Sequence, residues 1–144
     1  MSFGGFTTLL AVQVEPRLRV ALSLVPGGTA YLGPNDITIP TMVIGAERDR
    51  VVGFAESPAA YYRRLAGPRF LVELFAADHL SVVDSCSPLC GPTDITQGAA
   101  HRLVLHFALP FLRHYLAQGR TDRAGLIRPV PGTALEAEDR RAAR

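Results

Sequence analysis

Three side chains have the types and the chain order that nucleophilic acyl transfer requires. Ser2 lies in Met1-Ser2-Phe3-Gly4-Gly5, Asp49 in the charged cluster Glu47-Arg48-Asp49-Arg50, and His79 at the end of Ala76-Ala77-Asp78-His79. A serine hydroxyl is a weak nucleophile until a neighbouring imidazole takes its proton. The imidazole in turn works best when a carboxylate fixes its tautomer and stabilises its charged form. In the pattern Gly-x-Ser-x-Gly, a sharp strand-to-helix turn pushes the serine oxygen into the open, and small neighbours let the backbones approach closely. Met1 to Gly5 carries everything that follows the first glycine of that pattern. Such a turn also aims backbone N–H groups at the substrate, which makes the Phe3 amide a candidate oxyanion-hole donor.

Each residue has a plainer reading beside the chemical one. Ser2, next to Met1, can be an ordinary terminal residue; Asp49 can be a solvated turn residue, with Glu47 and Asp78 as rival acids; His79 can be a capped histidine at the margin of a core. His101, His106 and His114 fall on or near the last helical stretch, where structural or surface roles are expected. Tyr61 and Tyr62 are expected to pack or to lie at the surface. Cys86 and Cys90, in Ser85-Cys86-Ser87-Pro88-Leu89-Cys90, fit either a small-loop disulfide or two reduced thiols, and a disulfide would place a full-length parent outside the cytoplasm. No second pair of soft ligands completes a zinc site with them.

The composition narrows the alternatives. All fifteen cationic side chains are arginine. Without lysine, phosphate loops of the Walker type and Schiff-base or pyridoxal chemistry lack their amine, and no cofactor is expected. The arginines are dispersed, with those of the last residues interleaved with Glu136, Glu138 and Asp139, so no basic face for nucleic acid is expected. No apolar run reaches the roughly 20 residues of a membrane span. Gly4-Gly5 lacks the Gly-x-Gly-x-x-Gly spacing of a dinucleotide fold.

The candidate residues must be positioned by an alternating set of elements. Phe6, Leu9, Leu10 and Val14 recur at helical spacing up to Pro16. Leu18 to Val25 reads as a buried strand, and Thr41 to Gly45 as a strand buried on both faces. Ser57 as N-cap, Pro58 at the first helical position, and Gly67-Pro68 as a stop delimit a helix. Arg69 to Phe75 is a third strand, and a long apolar helix is expected from about residue 96 to 118, kinked or broken at Pro110. Residues 119–144 show no apolar periodicity and read as a flexible Arg/Pro-rich tail. The fold class is α/β, with about three mostly parallel strands flanked by helices. Its first element is a helix with no strand to feed it, so the domain is expected to begin partway through.

Ser2-Phe3-Gly4-Gly5-Phe6 before an apolar helix, Pro40-Thr41-Met42-Val43-Ile44-Gly45-Ala46-Glu47-Arg48-Asp49, and Ala77-Asp78-His79 together resemble α/β-hydrolases of the dienelactone-hydrolase-like group. That group includes cutinase-like polyester hydrolases and esterases similar to platelet-activating-factor acetylhydrolase. The resemblance spans residues 1–118 and covers the C-terminal half of such a domain. It implies Ser2 as nucleophile, Asp49 as acid and His79 as base, acting on a small or polymeric carboxylic ester. It also implies that the early strands, the loop with the second oxyanion donor and the strand that ends at the serine turn lie outside the chain. Weak activity in isolation and self-association through an open sheet edge are the corresponding expectations. The alternative is a non-catalytic α/β fragment or interaction module.

Overall fold

The computed structural model describes residues 1–28, 37–84, 93–116 and 128–139. The chain starts directly with helix α1 (Phe3–Val14), which ends before Pro16 as its sequence predicts. Three parallel strands follow: β1 (Ala21–Leu24), β2 (Thr41–Ala46) and β3 (Arg69–Leu74), with helix α2 (Pro58–Arg64) crossing between β2 and β3. Helix α3 (Gln97–Leu116) and a last strand, β4 (Thr133–Glu138), complete a sheet of order β1-β2-β3-β4.

The sheet is the middle of three layers, and the alternation of strand side chains sorts them. Val43 and Leu71 face Phe6 and Leu9 of α1 and Tyr61, Tyr62 and Leu65 of the α2 region. Met42, Ile44, Phe70 and Val72 face the other way, onto Phe107 and Phe111 of α3. Every residue of β2 is buried, as expected of a central parallel strand covered on both faces. The Phe70 and Phe111 rings meet edge-on at 5.4 Å, the preferred geometry of paired aromatics.

Several expectations are revised. The sheet has four strands rather than three, because Thr133–Glu138, within the stretch read as a tail, pairs antiparallel with β3. The sequence Thr-Ala-Leu-Glu-Ala-Glu has weak β-propensity, and the strand is held by its context. Gly132, at φ +85, turns the chain into register, its carbonyl accepts the Phe75 N–H at 2.9 Å, and Arg69 pairs with Glu138 at 2.7 Å. The first strand is shorter than Leu18 to Val25, since β1 extends only where β2 runs beside it. Helix α3 runs unbroken through Pro110. Ser57 does occupy the N-cap position of α2, but its hydroxyl bonds the Pro26 carbonyl instead of capping the helix. Gly67 acts through space, not through a left-handed turn: a Cβ there would sit 2.1 Å from the Thr38 carbonyl oxygen. Cys86 and Cys90 lie outside the described residues. Among the described residues, no helix is long and apolar enough to cross a membrane.

Candidate active site

The carboxyl ends of β1, β2 and β3 lie side by side because the three strands are parallel, and the candidate residues belong to these ends. Asp49 stands three residues beyond β2 and His79 five beyond β3. The two turns are tied together by backbone: Glu47 N–H donates to the Leu74 carbonyl at 3.0 Å and Arg48 N–H to the Ala77 carbonyl at 2.8 Å.

Within this frame Asp49 and His79 form a buried pair, with Nδ1 of His79 2.6 Å from Oδ2 of Asp49. The other carboxylate oxygen, Oδ1, accepts the backbone N–H groups of Val51 and Val52, each at 2.8 Å. Three contacts to two oxygens fix the carboxylate plane and leave it little rotational freedom. The Asp49 side chain is 1% exposed and that of His79 8%, so water does not compete for the contact. A carboxylate only accepts, so in a neutral imidazole facing one the proton is on Nδ1 and Nε2 keeps its lone pair. That is the tautomer a general base needs.

The rival acids are engaged elsewhere. Glu47 accepts the Ala76 N–H at 2.7 Å. Asp78 accepts the Leu80 N–H at 3.1 Å and the Ser81 hydroxyl at 2.8 Å, closing its own turn. Asp49 and His79 line a cleft of about 600 Å³ together with Arg50, Val51, Leu80 and Thr93. Arg48 reaches across its wall to Asp94 at 2.7 Å, a contact spanning 46 residues that local sequence pattern does not encode.

Ser2 sits at the start of α1, against the end of β1. Its N–H donates to the Leu24 carbonyl at 3.0 Å, and its own carbonyl accepts the Phe6 N–H at 3.0 Å. Its backbone has φ +53 and ψ −123, a left-handed conformation that a non-glycine residue adopts only where the surrounding structure imposes it. Gly5 makes the turn possible: a Cβ there would lie 2.7 Å from the Leu24 carbonyl oxygen and 2.9 Å from Ser23 Oγ. The buried Ser23 hydroxyl donates to the Gly5 carbonyl at 2.9 Å, fastening the helix start to the strand. Phe3 opens the helix, where first-turn N–H groups have no intrahelical acceptor. The structure thus joins Asp49 to His79 directly. Ser2 is held at the same end of the sheet by backbone contacts, and among the described residues its hydroxyl has no hydrogen bond to His79.

The remaining histidines are occupied by structure or surface. His101 Nε2 lies 3.1 Å from the Val83 carbonyl, His106 stacks edge-on with Phe107, and His114 with Tyr115. Tyr61 is fully buried, and burial pushes its hydroxyl up to about 12. That hydroxyl donates to the Gly27 carbonyl at 2.6 Å. Burial also raises Tyr62, whose ring carries the Arg69 guanidinium at 4.9 Å. Tyr61 and Ser57 both bind carbonyls of the Pro26-Gly27 turn after β1, so α2 holds the loop beside the site. The sequence reads Ser57 as a helix cap and Tyr61 as a packing or surface residue, and neither reading includes this role. Among the described residues, no cluster of three histidine, cysteine or acidic side chains is arranged to hold a metal ion.

No family model matches the chain. It is 32% identical over 84 residues to cutinase est2 of Thermobifida alba, a match that takes in 56% of this chain and 27% of the cutinase. It is 33% identical over 82 residues to the bis(hydroxyethyl) terephthalate hydrolase of Streptomyces coelicolor (strain ATCC BAA-471 / A3(2) / M145), with 56% of this chain and 26% of that enzyme covered. The matched region therefore spans about a quarter of the length of these curated relatives. The four-stranded, mostly parallel sheet between helices is consistent with part of an α/β-hydrolase fold, and the similarity over half of the chain is to ester hydrolases.

Proposed function

We propose that the chain carries the Ser-His-Asp machinery of a serine hydrolase acting on carboxylic esters. The observation that carries this reading is the buried 2.6 Å pair of Asp49 and His79, formed at the same sheet end as the strained turn of Ser2. His79 Nε2 takes the Ser2 hydroxyl proton as the oxygen attacks the ester carbonyl, and Asp49 stabilises the imidazolium so formed. The tetrahedral oxyanion receives a hydrogen bond from the Phe3 N–H. Collapse of the intermediate expels the alcohol, which takes the proton from His79. Water, deprotonated by the same imidazole, then releases the acid and regenerates Ser2. These steps use neither a metal nor an organic cofactor.

The substrate proposed is a small or polymeric ester, in keeping with the cutinase and the terephthalate-ester hydrolase among the relatives. A place within the dienelactone-hydrolase-like group is part of the same proposal. One donor of an oxyanion hole is worth about 3 kcal/mol of transition-state stabilisation, so a site with the Phe3 amide alone runs about a hundredfold or more below one with two donors. A second reading, a non-catalytic α/β module, draws on the Ser2 hydroxyl having no hydrogen bond to His79. A fluorophosphonate probe separates the two. Labelling of Ser2 that is lost in Ser2→Ala and His79→Ala supports the hydrolase. Folded protein that stays unlabelled supports the module.

A further inference from the structure

The turn that carries His79 is closed by its own groups and held from outside by helix α3. Asp78 N–H donates to Ser81 Oγ at 2.9 Å, and Asp78 Oδ1 accepts the Leu80 N–H and the Ser81 hydroxyl. The Ser81 N–H reaches the Asp78 carbonyl at 3.3 Å and the Val83 N–H the Leu80 carbonyl at 3.2 Å. These overlapping turns make residues 78–83 one stiff unit, with Ser81 buried and Val82 packed on the α3 side of the sheet. Its β3 end is fastened by the Arg48 amide on the Ala77 carbonyl. Its other end is the Val83 carbonyl, on which two side chains of α3 converge: Gln97 Nε2 at 2.8 Å and His101 Nε2 at 3.1 Å.

Gln97 and His101 stand four residues apart and so share one face of the helix. A carbonyl only accepts, so His101 Nε2 carries a proton, and the two donors fill both lone pairs of the oxygen. The helix is a firm support, because Ala100, Phe107, Ala108 and Phe111 are buried against the sheet. The exposed Arg48 and Asp94 pair adds a weaker link from the start of α3 to the turn of Asp49. An imidazole ring is rigid. With Nδ1 fixed on Asp49, the direction of Nε2 depends on where the His79 backbone sits. A shifted turn must therefore break the Asp49 contact or swing Nε2, and a misplacement of about 1 Å can cost about a hundredfold in rate.

We propose that Gln97 and His101 are positioning residues for His79, which hold its turn through the shared Val83 carbonyl so that Nδ1 stays on Asp49 and Nε2 keeps one direction. This inference rests on the hydrolase reading, in which Nε2 is the base.

The test reads the far-downfield proton resonance of His79 Nδ1–H, assigned by its loss in His79→Ala, beside the rate of fluorophosphonate labelling at Ser2. Gln97→Leu and His101→Leu each remove one donor, and the double variant removes both. Either donor alone can hold the carbonyl, so each single variant is expected to label about threefold to tenfold more slowly and the double variant about a hundredfold. In the double variant the Nδ1–H should exchange with water too fast to be seen at a pH where the unaltered chain shows it. Adding His101→Gln to Gln97→Leu keeps an amide donor at position 101, and should return signal and labelling to those of Gln97→Leu alone. A purely structural role would lower the thermal midpoint while leaving the resonance and the labelling rate as they were, and that result overturns the proposal. Should the double variant fail to fold, the singles decide: faster water exchange of the Nδ1–H supports the clamp, and unchanged exchange overturns it. An unaltered chain without the resonance overturns it as well, since no held contact exists to be positioned. An unaltered chain that shows the resonance but does not label at Ser2 defeats the hydrolase reading alone, and the resonance then decides the clamp.

Discussion

Replacing Asp49 with asparagine tests the site reading most directly, because the structure fixes what each oxygen does. Oδ1 binds the Val51 and Val52 amides and Oδ2 binds His79, and an asparagine can keep the first pair of contacts with its carbonyl oxygen. Its amide group then faces His79 as a donor. The imidazole must present an unprotonated Nδ1, which moves its proton to Nε2, the nitrogen that should accept from Ser2. The loop geometry survives while the base is switched off. Changing a triad carboxylate to an amide costs about 10⁴-fold in rate, or about 5.5 kcal/mol at about 1.4 kcal/mol per tenfold. The assay is the second-order rate of fluorophosphonate labelling at Ser2, with circular dichroism as the fold control and Asp49→Ala as a contrast. Alanine strands two backbone N–H groups, each costing about 1–3 kcal/mol if left unpaired, so it should lower stability where asparagine does not. The reasoning is refuted if Asp49→Asn labels within about threefold of the unaltered chain, or if Glu47→Gln or Asp78→Asn produces the large loss instead.

Further outcomes concern the frame around the site. Gly5→Val places a Cβ against the Leu24 carbonyl and Ser23 Oγ, so α1 must lift from β1; a loss of about 1–3 kcal/mol in urea unfolding is expected, with slower Ser2 labelling. Glu73, one residue before the end of β3, has its carboxyl raised by burial first and by the Glu47 and Glu136 charges second. A raised folded-state value stabilises only while the group is protonated, below its unfolded value, and that contribution is lost as pH rises through the folded value. Glu73→Gln should therefore stabilise the chain at pH 7 and make little difference near pH 4, as read from thermal midpoints at the two pH values. The Tyr61 hydroxyl, raised by burial to about 12, gives the same sign at the other end of the scale: stability is flat below about pH 10 and falls as pH approaches 12. Tyr61→Phe should lessen that fall in alkaline melts, leaving the part that the raised Tyr62 contributes, and lower stability by about 1 kcal/mol at neutral pH through loss of the bond to the Gly27 carbonyl.

Local signals made much of this structure legible. Pro16 ends α1, Ser57-Pro58 starts α2, and the apolar run Thr41 to Gly45 lies in a central parallel strand because a strand covered on both faces has no reason to alternate. Asp49 and His79 could be nominated because both follow strands, and in a parallel sheet strand ends meet. What escaped was set by distant partners. The weak sequence of β4 gains its pairing from β3 and its anchor from Arg69, across 69 residues of chain. The resemblance nominates Asp49 ahead of Glu47 and Asp78, all three acids in turns, and what the sequence does not give is the contact itself, the Asp49 carboxylate 2.6 Å from His79 Nδ1. Likewise Ser57 carries every mark of a capping residue, yet its hydroxyl bonds the Pro26 carbonyl, which its local sequence does not announce.

The two halves of the proposed site rest on different foundations, and this divides their response to perturbation. Asp49 and His79 are anchored by β2 and β3, the two most buried strands, with both cores packed against them and with the turns joined by the Glu47 and Arg48 amides. Ser2 depends on α1 and β1, a strand four residues long that among the described residues pairs with β2 alone. Edge elements with solvent-exposed peptide groups open at lower free energy than central strands. In mild denaturant, therefore, Ser2 labelling should fail before the global transition, while the Val51 and Val52 amides held by Asp49 keep their protection until the sheet itself unfolds. Coincident loss of labelling and of those two amides would show that α1 and β1 are as firmly built into the cooperative unit as β2 and β3. In that case the strain stored at Ser2 is borne by the whole sheet and not by its edge alone.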